Sequence, residues 1–325
     1  CLRNISLEPV YASGTTEAIS VRSCFINQLL LPLCRRQNVK NSMSKYFYAM
    51  VLFGVVYCYG FVEAAQPPHA VLVVGTHHYA PQTTMPFLAT ELERLGFRTT
   101  VVNPAWDPEK DKRGLPGLEV LKDADVGIFF MRFLQLKDSQ LAHITEFIES
   151  GKAVVGLRTS THAFNYPKNH PRHALNNDFG QKVLGSPYLI HLAGKTQVKP
   201  AAHAVHHPIL TGVDTTGWES SGTLYLINAQ PGIEPLLIGT GHSKRVGTVT
   251  NQFGVHELEQ TMSAPIAWTW KNSYGNRVFT TSLGHAKDFT NQNALRIIVN
   301  GVFWSAGRPA LSPETVLNTF SMSTK

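Results

Sequence analysis

Beyond residue 58 the chain has no cysteine; the four it carries are Cys1, Cys24, Cys34 and Cys58. The long remainder can therefore hold no disulfide and can use no thiol nucleophile. Long apolar runs are lacking too. The most apolar stretch, from about Ala49 to Val62, is shorter than the ~18 residues that a membrane-spanning helix needs. No basic run is interleaved with aromatics, which argues against nucleic-acid binding. The formal net charge is +7, and residues 1–64, with six basic against three acidic side chains, hold +3 of it. There is no internal repeat, no H-E-x-x-H and no C-x-x-C spacing. What is present, 43% hydrophobic and 16% charged residues, is the composition of a globular chain that can bury a full core.

No methionine precedes Met43. From there Lys45 supplies a positive n-region, the apolar stretch an h-region, and Val62-Glu63-Ala64 the aliphatic −3 and small −1 residues that a signal peptidase accepts, with Ala65 an alternative end. The expectation is a secretory signal peptide over 43–65, cleaved near Gln66, with the product secreted or periplasmic; a membrane anchor is the alternative. Residues 1–42 lack periodicity and are read as a non-native leader from a start codon set too early. A domain over 66–310 and a loose tail over 311–325 complete the organisation.

The domain alternates strand and helix. His69 to Gly75 is a continuous β-branched run, the pattern of a parallel strand buried on both faces. Thr83 or Thr84 is expected to cap a helix with Pro86 in its first turn, Leu88, Leu92 and Leu95 inward, and Gly96 as its stop. Strands follow at Phe97 to Val102, Val126 to Phe130 and Ala153 to Leu157. Helical patterns run over Leu118 to Lys122 and from Asp138 through Leu141, Ile144, Phe147 and Ile148. Between Pro187 and Trp270 short runs among Gly and Pro read as antiparallel strands. Arg277 to Leu283 is a further strand, and Thr290 opens a last helix through Leu295, Ile298, Val302 and Phe303. The fold class is α/β: a flavodoxin-like, doubly wound, mainly parallel sheet with helices on both faces and an antiparallel edge insertion.

In open parallel sheets ligands bind beyond the carboxyl ends of the strands. That rule selects His77 and His78 after the first strand and Arg132 after the third. It selects Arg158, Thr159, Ser160 and His162 after the fourth, and His285 and Asp288 after the late strand. Arg158 stands at the strand-to-turn position where elbow motifs hold a nucleophile. A guanidinium cannot attack, but it can bind a carboxylate, a phosphate or an oxyanion. His285 is a candidate acid or base because imidazole titrates near neutrality. Adjacent His77 and His78 point opposite ways on an extended segment, so at most one faces the site. His206 and His207, before Pro208, read as a structural turn. Trp268 and Trp270 share a strand face, where burial is favoured over stacking on a sugar.

The segments GKAVVGLRTSTHAF, AVHHPILTGV, RVFTTSLGHAKDF and ALRIIVNGVFW together resemble the ThuA-like, or trehalose-utilisation, family, over about residues 70–307. That family is similar in fold to class I glutamine amidotransferases. The resemblance places Arg158 where those enzymes keep a nucleophilic Cys and His285 where they keep a catalytic His. Their acid falls at Lys287, with Asp288 one residue further on. Both departures argue against glutamine hydrolysis, and the resemblance implies a link to carbohydrate metabolism.

Two functions are therefore expected to compete. In the first, the chain is an enzyme (a hydrolase, lyase or isomerase) acting on a sugar or sugar derivative through His285 and Arg158. His77, His78, Arg132, Thr159, Ser160, His162 and Asp288 then serve in substrate binding. In the second it binds carbohydrate without turnover. No cofactor is expected. A metal-dependent hydrolase with zinc on His77, His162 and His285 is a third option that no ligand spacing supports. No nucleic-acid partner and no membrane span after signal cleavage are expected, and the oligomeric state is open.

Overall fold

The computed structural model describes residues 66–111 and 113–322; the leader and signal-peptide readings over 1–42 and 43–65 lie outside them. The first half runs β1 (His69–Gly75), α1 (Pro81–Arg94), β2 (Arg98–Val102), β3 (Val126–Met131), α2 (Asp138–Glu149), β4 (Ala153–Leu157) and a short α3 (Leu175–Asp178). Strands then dominate: β5 (Tyr188–His191), β6 (Thr196–Pro200), β7 (Trp218–Ser220), β8 (Tyr225–Ile227), β9 (Glu234–His242), β10 (Gly247–Asn251) and β11 (Gly254–Leu258). Strands β12 (Thr261–Lys271) and β13 (Arg277–Thr281) and helix α4 (Gln292–Ser305) close the chain.

One sheet has the order β2-β1-β3-β4-β13-β12-β9-β6-β7. From β2 to β13 neighbours run parallel. From β13 to β7 they run antiparallel, so the expected antiparallel insertion extends one edge of the parallel half. The continuous apolar runs have a direct cause: each parallel strand feeds two cores. Leu72, Val74, Val155, Leu157 and Phe279 pack with Leu88 and Leu92 of α1 and Leu295, Ile298 and Val302 of α4. Their neighbours Val71, Val73, Phe129, Val154 and Val278 pack on the opposite face with Leu141, Ile144 and Phe147 of α2. This is the doubly wound arrangement expected from the strand–helix alternation.

Several local features depart from expectation. Helix α1 begins at Pro81, and its N-cap is Ala80, about one turn before the expected Thr83 or Thr84, in a left-handed conformation with no side-chain cap. The hydroxyls of Thr83 and Thr84 instead return to the Ala80 carbonyl at 2.9 and 3.4 Å. Pro86 lies inside the helix and cannot donate to the Gln82 carbonyl; the Asn103 side-chain amide donates to that oxygen at 3.0 Å instead. Asn291, not Thr290, caps α4, accepting from the N–H groups of Asn293 and Ala294. Over residues 311–322 the tail expected to be loose has no regular secondary structure but is docked. Leu317 is buried, Phe320 donates its N–H to the Phe289 carbonyl at 2.9 Å, and Asn318 binds the buried Glu91 carboxylate through backbone and side chain. Trp268 is buried and donates its indole N–H to the Leu184 carbonyl at 2.8 Å, in keeping with the core reading. His207 caps a short turn through Nδ1, which accepts from Ile209.

Candidate functional site

The chain turns from β1 to β2 on one side and to β3 on the other, so β1 and β3 border a topological switch point, where a crevice opens at the carboxyl ends. The backbone is strained there. The non-glycine residues with positive φ among those described are Tyr79 (72°), Ala80 (61°), Phe133 (50°) and Arg158 (44°), and all lie within five residues after the end of β1, β3 or β4. Such conformations cost on the order of 1 kcal/mol or more each, and they gather where function fixes a side chain's direction.

The crevice is a cavity of about 410 Å³. The rim of the parallel strands supplies His78, Tyr79, Arg132, Phe133 and His162; β5 and β8 supply Tyr188, His191 and Tyr225. The turn between β10 and β11 closes it with Asn251, Gln252 and Phe253, and Arg245 stands at its edge. The aromatic rings touch one another: Phe253 lies 5.0 Å from Tyr188 and 6.3 Å, nearly parallel, from Phe133.

His162 forms the buried floor, 4.3 Å from the ring of Tyr188. Burial, then the charges of Arg132 and Arg158, hold its imidazole well below the ordinary histidine range, so it is neutral. His78 stacks edge-on to Tyr79 at 4.1 Å. Burial and the same two arginines lower it as well. Arg132 pairs with the Glu109 carboxylate and lies 4.2 Å over Phe133. The other Glu109 oxygen accepts from the Thr76 hydroxyl at 2.7 Å, and Thr76 Oγ1 accepts the His78 N–H at 3.0 Å. The Pro- and Asp-rich loop after β2 thus ties the ends of β1 and β3 together.

Arg158 lies behind the wall rather than on it. It is 1% exposed, and its guanidinium is stacked between Tyr79 at 4.0 Å and Tyr225 at 4.7 Å. One terminal nitrogen donates to the Ser282 carbonyl at 2.6 Å. The expectation of an arginine that clamps a ligand anion directly is corrected on that ground: the two phenol rings cover it. His285 is half-buried, with its ring 5.6 Å from Tyr79, so Tyr79 is the side chain on which Arg158 and His285 converge. His285 Nδ1 accepts the Lys287 N–H at 3.2 Å, which leaves the proton of the neutral ring on Nε2. Burial, then the Arg158 charge, lower its pKa, opposed by Asp288.

Four expected binding residues do not reach the cavity wall. Ser160 Oγ donates to the Phe129 carbonyl at 2.7 Å and accepts the Met131 N–H at 3.1 Å, stitching the turn to β3. Asp288 is buried; Oδ2 accepts the N–H groups of Gly284 and His285, and Oδ1 accepts the Ser220 hydroxyl. Thr159 is buried, with its hydroxyl unpartnered among the described residues. His77 turns away, as the alternation of adjacent residues predicts for one of the pair; its N–H donates to Asp107 at 3.1 Å. No group of three or more His, Cys, Asp or Glu among the described residues is placed to hold a metal ion. No helix among them is long and apolar enough to cross a membrane.

A family model described as trehalose utilisation (ThuA) matches residues 70–305. The chain is similar in structure to a ThuA-like protein from Parabacteroides merdae ATCC 43184, with 14% identity and a TM-score of 0.51 over 76% of this chain and 92% of that one. It is also similar to a ThuA-like protein from Bacteroides uniformis ATCC 8492, with 16% identity and a TM-score of 0.49 over 78% of this chain and 98% of that one. No curated protein matches it.

Proposed function

The chain belongs to the ThuA, or trehalose-utilisation, family, and from that premise we propose that it binds a carbohydrate or sugar derivative in the cavity beyond β1, β3 and β4 and acts on it. The observation that carries this reading is the make-up of the wall: five aromatic rings, Tyr79, Phe133, Tyr188, Tyr225 and Phe253, alternate with Arg, His and Asn side chains. Sugars present C–H faces that pack on aromatic rings and hydroxyls that need donors and acceptors. A cavity of about 410 Å³ lies in the range of small-molecule sites.

Glutamine amidotransfer is not part of this function. Arg158 occupies the elbow, and residues 59–325 contain no cysteine to supply a thiolate. In the catalytic reading His285 does not line the cavity itself and acts beside Tyr79, whose ring lies 5.6 Å from its own. The second reading, binding without turnover, is favoured by the loss of the elbow nucleophile and by Lys287 where an acid would stand.

Calorimetry against neutral sugars, sugar acids and disaccharides tests the common core. Saturable binding of at least one ligand is expected, weakened about tenfold or more by Phe253→Ala, the loss of one stacking contact plus its buried area. Folded protein that binds none of them removes the proposal. Chromatography of the bound sugar after incubation separates the two readings, since turnover leaves product and binding alone returns the sugar unchanged.

Export through the 43–65 signal peptide belongs to the same proposal; its support is the n-region, h-region and small-residue junction just before β1. N-terminal sequencing of the protein from its native host should begin near Gln66. A start before Met43 would contradict it.

A further inference from the structure

Arg158 poses a problem of charge. A guanidinium does not lose its proton under any ordinary condition, and a buried charge without a counter-charge is strongly unfavourable. Among the described residues no carboxylate lies within ion-pair distance of Arg158, and its Nε has no hydrogen-bond partner. The terminal nitrogens donate to neutral groups, the Ser282 carbonyl and, at 3.4 Å, the Thr223 hydroxyl, and the guanidinium also bonds the Tyr79 phenol. Asp288 contributes charge nearby, but Gly284, His285 and Ser220 occupy its oxygens.

A ligand in the cavity cannot supply the missing anion by contact. Gly222 presses against the guanidinium, so closely that a Cβ there would come within 2.6 Å of Nη1. The rings of Tyr79 and Tyr225 cover it from the cavity side. Whatever the buried charge does for a ligand, it does through these phenols.

The two phenols differ in setting. Tyr225 is 3% exposed, and burial pushes its pKa far up against the pull of Arg158. Tyr79 is half-buried on the wall. Burial raises its pKa, but the Arg158 charge and hydrogen bonds from Tyr225, Arg158 and Thr223 together bring it below the ordinary tyrosine value. Two like groups driven apart by one environment are the usual mark of an acid–base assignment. The positive φ of Tyr79 fits the same role, since the strain fixes where the phenol points.

We propose that Tyr79 is the proton-exchanging residue of this cavity, poised over the buried Arg158 guanidinium, with Arg158 as its positioning residue. In the ionised form Tyr79 Oη takes a proton from a ligand hydroxyl. The O–H bond of the ligand breaks, its electron pair stays on the ligand oxygen, and Tyr79 becomes a neutral phenol; the reverse transfer resets it. The titratable and charged groups facing Tyr79 are Arg158 from the turn after β4, Tyr225 from β8, Tyr188 from β5, His285 from the turn after β13 and its neighbour His78. The proton donor rests on the sugar-binding reading, but the ionisation of Tyr79 does not.

The test is a spectrophotometric titration of tyrosinate absorbance on the ligand-free protein. In the wild type one tyrosine should ionise ahead of the others. Tyr79→Phe should delete that early step, and Arg158→Gln should move it up to the ordinary tyrosine range, about 10. If Arg158→Gln does not fold, Tyr225→Phe removes one hydrogen bond to Tyr79 and should still shift the step upward. An early step that persists in Tyr79→Phe, or a wild type with no early step, overturns the proposal whatever calorimetry finds. Once a sugar that turns over is in hand, Tyr79→Phe should bind it within a few-fold of wild type. Its turnover should fall at least about a hundredfold, the usual size of a lost acid–base group, and the pH profile should flatten. Unchanged turnover would equally overturn it, while leaving sugar binding untouched.

Discussion

Ser220 and Asp288, 68 residues apart, meet inside the protein, where the serine hydroxyl donates to Asp288 Oδ1 at 2.7 Å. The other carboxylate oxygen accepts two backbone N–H groups, those of Gly284 at 2.9 Å and His285 at 3.0 Å. One buried side chain thus fixes the turn that carries His285 and ties it to β7.

Asp288→Ala leaves two backbone donors and a hydroxyl buried without partners, so it should destabilise the fold by about 2–4 kcal/mol. Asp288→Asn keeps one acceptor oxygen and should cost less. Urea unfolding of both variants measures this. Losses of a few tenths of a kcal/mol would mean that water reaches the turn and that Asp288 does not hold it.

Ser160→Ala separates structure from binding at a residue that the rim rule selects. Its hydroxyl joins the turn after β4 to the Phe129 carbonyl and the Met131 N–H. The expected loss is about 1–3 kcal/mol of stability, with ligand affinity in calorimetry unchanged within about twofold. A large change in affinity at unchanged stability would return Ser160 to the binding wall.

The parallel half of the sheet was legible because two-sided burial writes itself as an unbroken apolar run: His69 to Gly75 and Ala153 to Leu157 needed no tertiary information. The start of α1 was not. Ala80 has no polar side chain to announce a cap, so the nearest threonines attracted the assignment. The same split runs through the site. His78, Arg132 and His162 follow from strand ends alone, and the structure brings them around one crevice; His285 follows from the same rule but touches Tyr79 without itself lining the cavity. Ser160 and Asp288 stand on the same rim, but their polar atoms are consumed by backbone groups and, for Asp288, the Ser220 hydroxyl as well, which residue type cannot reveal. Tyr188, His191, Tyr225 and Phe253 arrive from a separate two-stranded sheet and a hairpin turn. Their approach depends on packing across the chain, which no local pattern announces.

Gly301 poses a question of sign. In the interior of α4, glycine is about 1 kcal/mol worse than alanine, so Gly301→Ala should help on propensity alone. A Cβ there would, however, overlap the ring of buried Phe279. Overpacking of this kind costs about 1–3 kcal/mol, so packing wins and the variant should be less stable. Phe279→Leu is destabilising by itself, but combined with Gly301→Ala it should recover part of the loss. Additive effects in that double-mutant cycle would show that the two positions do not share the space.

Acid stability should follow the buried imidazole of His162. Its folded pKa lies well below the ordinary histidine value of about 6.5, because of burial first and then the charges of Arg132 and Arg158. Between the folded value and about 6.5 the unfolded chain binds a proton that the native state refuses, so stability rises with pH in that window. The contribution is complete above about pH 6.5 and is lost as pH falls below it, with a slope approaching about 1.4 kcal/mol per pH unit for one proton. His78, His191 and His285 are shifted in the same direction and add to the sign. Urea midpoints measured between about pH 5 and 6.5, above most carboxylate titrations, should therefore climb with pH. His162→Phe removes the titrating group from the aromatic floor and should flatten that climb, whatever its effect on absolute stability. An identical slope in the variant would assign the acid sensitivity elsewhere and imply that His162 is accessible to protons in the native state.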